Sequence, residues 1–571
     1  MRRSFATCTL IAVTVVAVYA QVAGHDFVQF DDDLYITSNP NVQAGLSLDS
    51  VAWAMGGAIE IGGVDAYIWQ PVTWLSYLID AELYGFEDAG PWLLTNVGWH
   101  IASAWVLLAA MYGMTGRFWP SAFVAALFAL HPIQTESVAW ASGRRDVLAG
   151  FFLNLTLLAY AHYVRSRNWA RYAGLLLAMF LSLAAKGSQV SLPFLLLLLD
   201  YWPLSRLRFN AGGESRERLV LEKLPLLFLS FAMVLVNLAP VSATSGPWAS
   251  DPALLERAGD GVMAYGATLG RLFWPGGLAI IYPTPVQMGL QAPSASQIGV
   301  VLAGLIALTA LAAVATQRRG YLIVGWLWFL GMLFPLIGLV PSGLRVMHDR
   351  YAYIPMIGLA IAISFGAADL LAQRRAPRSL LIGAAASVLA ACAVVSWNQA
   401  GVWQSSQSLF DHTLAVTQRN AIVHFYRGNT LVVGGDLDGA RVEFEAALDI
   451  NPSYPDALQS LGHLQLRLGR PDLAIGLIER AIQSRPGWVH AMMNLGRAQS
   501  ANGDLKQALA TLNSVVARAP GSVDVRHALA IAYHQSGRID EAAEAYREAL
   551  RLDPNHEPSR RGLARVRLRQ R

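Results

Sequence analysis

Of the 571 residues, 54% are apolar and only 14% are charged, with a net charge of +4. That composition excludes an ordinary soluble protein and predicts several membrane spans. The few basic residues fall in short clusters between apolar runs, so they read as topology signal and not as a nucleic-acid-binding surface. The two cysteines, Cys8 and Cys392, both fall inside predicted spans and leave the redox compartment open.

The first apolar run, Phe5 to Ala23, follows Arg2 and Arg3 and lacks a convincing small-x-small cleavage site, so it reads as a retained signal anchor. Next comes "FVQFDDDLYITSNP" (27–40), in which Asp31, Asp32 and Asp33 are adjacent. Three readings are open for this cluster: metal ligation, general-base catalysis, or a solvated turn. A hard cation usually gathers more oxygen ligands than this stretch supplies. Further along, "SVAWAM" and "QPVTWLSYLIDAEL" carry apolar residues at helical spacing, predicting amphipathic helices on the membrane surface with Trp53, Trp69 and Trp74 as interfacial anchors.

Apolar runs predict membrane helices at 5–23, 92–113, 118–132, 146–164, 170–186, 188–203, 222–240, 297–316, 321–341, 350–372 and 378–398, about eleven spans. Arg2/Arg3, Arg117, "RSRNWAR" (165–171), "SRLRFNAGGESRERLVLEK" (205–223), "QRR" (317–319) and "QRRAPR" (373–378) then share one side. The positive-inside rule makes that side cytoplasmic and sets both the long loops (24–91, 241–296) and the C-terminal tail outside.

Ionisable residues at membrane depth are costly unless paired, so those on the outer side are informative. "HPIQTESVAWASGRRDVLAG" (131–150) supplies His131, Glu136, Arg144, Arg145 and Asp146. Either Arg145 pairs with Asp146 or Glu136, or the basic pair forms a cationic phosphate site. Lys186 ends a hairpin, where it either snorkels to headgroups or joins such a site. "GLRVMHDRYAYIPMIG" (343–358) adds His348, Asp349, Arg350 and Tyr351.

The tail is periodic. Pro452, Pro486, Pro520 and Pro554 are 34 residues apart, as are Gly428, Gly462, Gly496 and Ala530, and Ala440, Ala474, Ala508 and Ala542. This period, with small residues at two helix-crossing positions and Pro after the second helix, matches the tetratricopeptide pattern. Four repeats are predicted over 420–553 after a linker at 401–419, with a basic capping helix at 554–571. Asn494, Tyr533 and Tyr426 stand where they either line the groove of the array or are simply solvated.

"FDDDLY" places Asp31, Asp32 and Tyr35 on the Asp-(Asp/Glu)-x-x-Tyr pattern of the multispan lipid-linked sugar transferases called GT-C. In order, "FDDDLYITSNPNV", "PVTWLSYLIDAELYG", "HPIQTESVAWASGRRDVLA", "LLLLLDYWPL" (195–204), "GRLFWPGGLAIIYP" (270–283) and "HDRYAYIPMIG", followed by the repeats, resemble the transmembrane and tetratricopeptide-repeat-containing (TMTC-like) family. The chain departs from related members in having "GRRDVLA" for "GRADLLA" and "KGSQ" where an acid follows the lysine.

The resemblance implies an all-α protein: a GT-C-like membrane domain over 1–400 followed by the repeat solenoid. It further implies an inverting transferase that moves a sugar, mannose in the eukaryotic members, from a polyprenyl-phosphate donor to an acceptor hydroxyl on protein. On that expectation Asp31 is the base and Asp32 orients substrate hydroxyls. Arg144, Arg145, Lys186, Arg350, Tyr351, His131, Glu136 and Tyr35 hold the donor's phosphate and sugar. No metal ligands are assigned and divalent-metal dependence stays open. The expected setting is a bacterial inner membrane with an acceptor peptide in the repeat groove; the alternative is a non-catalytic membrane-anchored scaffold for envelope or secretion machinery.

Overall fold

The fold starts where the first long apolar run meets no helix breaker: α1, Arg2–Tyr19, continues as a short 3-10 turn to Gly24. In the computed structural model, residues 2–61, 64–207, 216–238, 254–316, 319–339, 346–374 and 377–570 are described. Segments 208–215 and 241–253 of the expected loops, and residues 343–345 of the fourth polar motif, lie outside them.

Two helices of the first long loop follow, α2 (Leu48–Gly56) and α3 (Pro71–Tyr84), with the antiparallel ribbon β1 (Ala58–Ile61) and β2 (Val64–Tyr67) between them. The bundle continues with α4 (Gly90–Thr115), α5 (Phe118–Leu130), α6 (Arg144–Arg165), α7 (Trp169–Ala185), α8 (Leu192–Tyr201) and α9 (Leu224–Leu238). Then come α10 (Leu254–Phe273), α11 (Ala295–Ala315), α12 (Gly320–Leu333), α13 (Pro355–Gln373) and α14 (Arg378–Val402). Each expected apolar run is helical over most of its described residues. Among the described residues seven helices are long and apolar enough to cross a membrane; those at Phe118–Leu130, Trp169–Ala185 and Gly320–Leu336 are shorter, and α8 has 10 residues.

Close packing needs small residues at crossings. α12 and α13 meet where Gly325 and Gly358 face each other, and a Cβ on either would lie 2.3 Å from the other's carbonyl oxygen. α6 packs against both α4 and α7. At one end of the bundle Asp200, Arg206, Glu222 and Lys223 form a buried network. Arg206 reaches Asp200 at 2.8 Å and Glu222 at 2.7 Å, and Lys223 reaches Asp200 at 2.8 Å. Two of the basic residues expected as topology signal are therefore enclosed ion-pair partners.

Trp74 departs from the expected interfacial belt. It is fully buried and stacks on Tyr35 at 5.5 Å, because α3 turns this face into the bundle.

The expected linker holds a helix, α15 (Ser406–Val416), capped by Ser405. The repeats then run as helix pairs: α16 (Ala421–Val433) with α17 (Leu437–Ile450), α18 (Pro455–Arg467) with α19 (Pro471–Ser484), α20 (Val489–Asn502) with α21 (Leu505–Arg518), and α22 (Val523–Gln535) with α23 (Ile539–Leu552). A last helix, α24, spans Glu557–Gln570. Gly435, Gly469, Gly503 and Gly537 turn each pair with φ between +74° and +89°, a region that favours glycine. Within the pairs, a Cβ on Gly428, Gly462 or Gly496 would come within 2.6 Å of Phe444, Ile478 or Leu512.

Tyr426 is not a solvated groove residue. It lies against Phe30 of the acidic loop with ring centroids 4.6 Å apart. Two backbone donors of that loop finish the joint: Asp26 N–H to the Gln404 carbonyl at 2.9 Å, and Gln29 N–H to Ser406 Oγ at 2.8 Å.

The crossing glycines yield a paired test. Gly496→Val should cost about 1–3 kcal/mol through its clash with Leu512. Gly476→Ala, where nothing lies within 4 Å of the added Cβ, should stabilise the array by about 0.5–1 kcal/mol. Thermal melts followed by far-ultraviolet circular dichroism should move in opposite directions.

Candidate active site

Asp32 organises the site. Its carboxylate is buried; one oxygen accepts the Ser142 N–H at 2.9 Å and the Ser142 hydroxyl at 2.5 Å, the other the Val28 N–H at 2.8 Å. The first loop is thereby fastened to the turn Ala141–Gly143 that precedes α6. Burial pushes the Asp32 carboxyl up to about 7, against the lowering effect of its Ser142 and Val28 donors. Gly143 fits this turn because a Cβ there would lie 2.4 Å from the Ser137 carbonyl oxygen.

α6 begins with Arg144 and Arg145, and neighbours on a helix point about 100° apart. Arg144 turns inward and is completely buried. Its guanidinium meets Asp80 at 2.6 Å, Ser76 Oγ at 2.5 Å, the Trp92 carbonyl at 2.8 Å and, more closely, the Asn96 side chain. Arg144 thus departs from the expected phosphate clamp: its donors are engaged in holding α3 and α4 to α6.

Arg145 turns the other way. It meets Asp31 at 3.3 Å, donates to the Tyr35 hydroxyl at 3.2 Å, and lies 5.1 Å from the Tyr35 ring centroid. The Asp31 side chain is 22% exposed, so of the two adjacent acids one is an enclosed fastener and the other remains open. Asp33 is exposed at the start of a single wide helical turn, Asp33–Thr37.

Glu136 holds the second arginine. It accepts the Arg350 N–H at 2.9 Å and the Arg350 guanidinium at 2.5 Å. Burial raises Glu136 to about 7, opposed first by the Arg350 charge. The Arg350 guanidinium lies 4.9 Å from the Trp140 ring centroid and 5.7 Å from that of Tyr351, while Lys186 lies 5.8 Å from the Tyr351 ring and pairs with Asp146. Trp140 is shared, since Arg145 is 5.9 Å from it. Asp31, Tyr35, Arg145, Glu136, Lys186, Arg350 and Tyr351 are therefore brought together around Trp140 and Tyr351.

His131 does not join them. Its Nδ1 accepts the Ile133 N–H at 3.2 Å and its Nε2 donates to the Leu272 carbonyl at 2.9 Å, which uses both ring nitrogens structurally. Among the described residues no group of three or more His, Cys, Asp or Glu side chains could hold a metal ion.

Arg271 and Tyr282 were not assigned a role on sequence, although both sit in the quoted segment 270–283. Arg271 approaches Asp349 at 3.1 Å and covers the Tyr282 ring at 4.0 Å, and the Tyr282 hydroxyl donates to Asp349 at 2.9 Å. Strand β3 (Tyr282–Pro283) pairs with β4 (Val346–Met347) beside them. Burial raises Asp349 to about 6 against the pull of Arg271. His348 is held well below its ordinary value by burial and by Arg350, and its ring donates to the Ile280 carbonyl at 2.5 Å. The segment 278–283 thus positions the stretch that carries Arg350.

The two arginines should separate experimentally. Arg144→Ala leaves Asp80 buried and unpaired, at a cost of about 3–5 kcal/mol. It should abolish monodisperse protein in detergent size-exclusion, whereas Arg145→Ala should elute and melt close to wild type.

Known proteins match the chain as repeat-family models and as curated relatives, among others. Tetratricopeptide-repeat family models match residues 428–469, 460–523, 494–557 and 527–571. Protein O-mannosyl-transferase TMTC1 of Homo sapiens is 25% identical over 496 residues, covering 76% of this chain and 54% of that protein. Protein O-mannosyl-transferase TMTC4 of Homo sapiens is 24% identical over 484 residues, covering 76% and 64%. Protein O-mannosyl-transferase Tmtc2 of Drosophila melanogaster is 27% identical over 224 residues, covering 37% and 23%. The chain spans less than two thirds of the length of each. The chain is thus similar to the TMTC proteins over most of its length and carries tetratricopeptide repeats after its apolar helices.

Proposed function

We propose that the chain is an integral membrane glycosyltransferase that moves a sugar, mannose by analogy with its relatives' names, from a polyprenyl-phosphate donor to a hydroxyl of an acceptor protein. The observation that carries this reading is the half-open carboxylate of Asp31 beside the Arg145 guanidinium, with Lys186 and Arg350 grouped around Tyr351. A base next to a cluster of cations suits a reaction in which a hydroxyl attacks and a phosphate leaves. The basic segments at the opposite end of the bundle favour an outer-face location for the site.

The resting charges are paired: Asp31 with Arg145, Glu136 with Arg350, Asp146 with Lys186. A donor phosphate takes over Arg145, whose pairing at 3.3 Å is looser than that of Arg350, and thereby releases Asp31. Asp31 then removes the acceptor hydroxyl's proton as that oxygen bonds to the anomeric carbon. On the opposite face of the sugar the bond from that carbon to the phosphate oxygen breaks, the configuration inverts, and polyprenyl phosphate leaves with its charge held by Arg145, Lys186 and Arg350. Asp32 positions the turn that presents Arg145.

An apolar groove between α7 and α9, lined by Leu176, Leu177, Phe180, Leu224, Phe228 and Leu229, supports a lipid-linked donor. Lys186 caps α7 six residues after Phe180, about 9 Å along the helix. A polyprenyl tail in the groove brings its phosphate toward Lys186.

Asp31→Asn should fold, bind polyprenyl-phosphate sugar and lose transfer by about 100-fold or more; transfer within a few-fold of wild type would remove Asp31 from the reaction. Transfer should fall as the pH drops through about 7, where Asp32 gains a proton and gives up an acceptor site. Because the Ser142 hydroxyl favours the Asp32 anion, Ser142→Ala should move that acid limb to higher pH. Truncation after residue 403 removes the joint to the acidic loop and should abolish donor hydrolysis together with transfer. Truncation after 485 keeps Tyr426 on Phe30 and should spare donor hydrolysis while reducing transfer to protein.

A further inference from the structure

Residues 278–281 follow α10 in the chain, and all four are buried although none is helical. A buried backbone outside a helix has to find its hydrogen bonds elsewhere, and this one finds them on two sides. On one side the Leu278 carbonyl accepts from the Gln399 amide of α14 at 3.2 Å and from His412 Nε2 of α15 at 3.0 Å. The Ile281 carbonyl accepts from Asn420, the residue that caps α16, at 3.4 Å. On the other side the Ile280 carbonyl accepts from His348 at 2.5 Å, and the Ala279 N–H donates to Asp349 at 3.3 Å. Those two residues come directly before Arg350. The pairing of β3 with β4 continues this second edge.

The segment is tied down again at Arg419, between α15 and α16. Arg419 has a left-handed backbone, φ +47°, which a residue with a side chain rarely adopts. Its Nε donates to the Met288 carbonyl at 2.7 Å. Gly289, at φ +69°, passes so near the first repeat that a Cβ would lie 2.9 Å from the Ile450 carbonyl oxygen at the end of α17. Strained backbone persists where its surroundings over-determine it, and the bond to Met288 is one such constraint.

We infer that the linker helix and the first repeat hold Arg350 in place through a strap, residues 278–289, and that His412, Arg419 and Asn420 are positioning residues for the donor's phosphate. The inference rests on the proposed role of Arg350 in holding that phosphate. Coupling of this kind needs a contiguous set of contacts, and here it is short: His412 and Arg419 to the strap, the strap to His348 and Asp349, and Arg350 next in the chain. Glu136 accepts from both the backbone N–H and the guanidinium of Arg350, so a shift of that backbone disturbs both bonds. The array then bears on both halves of the site: on Asp31 through Tyr426 and Phe30, and on Arg350 through the strap.

Hydrogen–deuterium exchange of the full-length protein in detergent reads the strap without any sugar donor. Arg419→Gln should speed amide exchange over 346–352 at least about 5-fold and leave α18 to α23 unchanged. Arg419→Lys, which keeps a donor, should exchange like wild type. Arg419→Gly separates side chain from strain: it relieves the left-handed backbone, yet should loosen 346–352 as Gln does. His412→Leu removes a donor to Leu278 and should loosen the same residues; it decides if Arg419→Gln does not fold.

Binding of farnesyl phosphate, set against farnesol, reads the consequence. Arg419→Gln should weaken farnesyl phosphate about 10-fold and leave farnesol unchanged. In an Arg350→Lys background it should add little further loss, because both changes act on one contact. Unchanged exchange over 346–352 in folded Arg419→Gln and His412→Leu variants, or exchange that rises equally through the repeats, would overturn the inference. Losses from Arg419→Gln and Arg350→Lys that simply add would overturn it as well. Wild-type protein that binds farnesyl phosphate no tighter than farnesol would count against the proposed phosphate site instead, and exchange over 346–352 would still decide the strap.

Discussion

A carboxylate enclosed by protein must be met by donors, and Asp32 finds them on both sides of a long chain separation: Val28 within its own loop and Ser142 in the turn before α6. That set of bonds decides where α6 begins and hence the directions in which Arg144 and Arg145 leave it. One residue of offset sends the first guanidinium into the bundle and the second toward Asp31. Gly143 makes the turn possible by accepting a carbonyl where a side chain would stand. The geometry of the proposed site therefore follows from a buried acid that need not itself touch substrate.

The charges of that site are balanced before any ligand arrives, which is what burial demands. The balance is uneven in strength. Arg350 is gripped by both oxygens of Glu136, through its backbone and its side chain, whereas Arg145 meets one oxygen of Asp31 at the longest of the three separations. A competing oxyanion therefore exchanges most readily with Asp31. In that exchange the incoming phosphate would both gain a cation and expose a base, so binding of donor and activation of acceptor need not be separate events.

Much of this was legible from residue order. The repeat period, the small crossing residues and the turn glycines report local backbone and packing requirements, and each repeat restates them, so the array could be read without knowing its partners. The apolar runs were equally plain. What the sequence could not separate was Arg144 from Arg145 or Asp31 from Asp32: adjacent residues of one type carry no sign of which way a helix or turn will point them. Arg206 and Lys223 posed the same difficulty, because a basic residue beside a span serves as topology signal and as an ion-pair partner with the same letters. Trp74 and Tyr426 were read as surface residues since their burial depends on contacts outside their own segments, to Tyr35 of the acidic loop and, across a domain joint, to Phe30. Arg271 had a weaker signal: it sits in an unusually aromatic and glycine-rich stretch, but only the fold brings it to Asp349.

The joint between bundle and array changes what the repeats are for. Had a flexible linker separated them, the array could only raise the local concentration of a partner. Here α15 is a packed helix, Gln404 and Ser406 accept hydrogen bonds from the acidic loop, and Tyr426 closes over Phe30 one residue from Asp31. The first repeat thus helps shape the loop that bears the proposed base, while the later repeats extend from a fixed origin. A segment lying along them would have a defined direction and distance to Asp31, so the array would select which hydroxyl reaches the carboxylate as well as which protein is held.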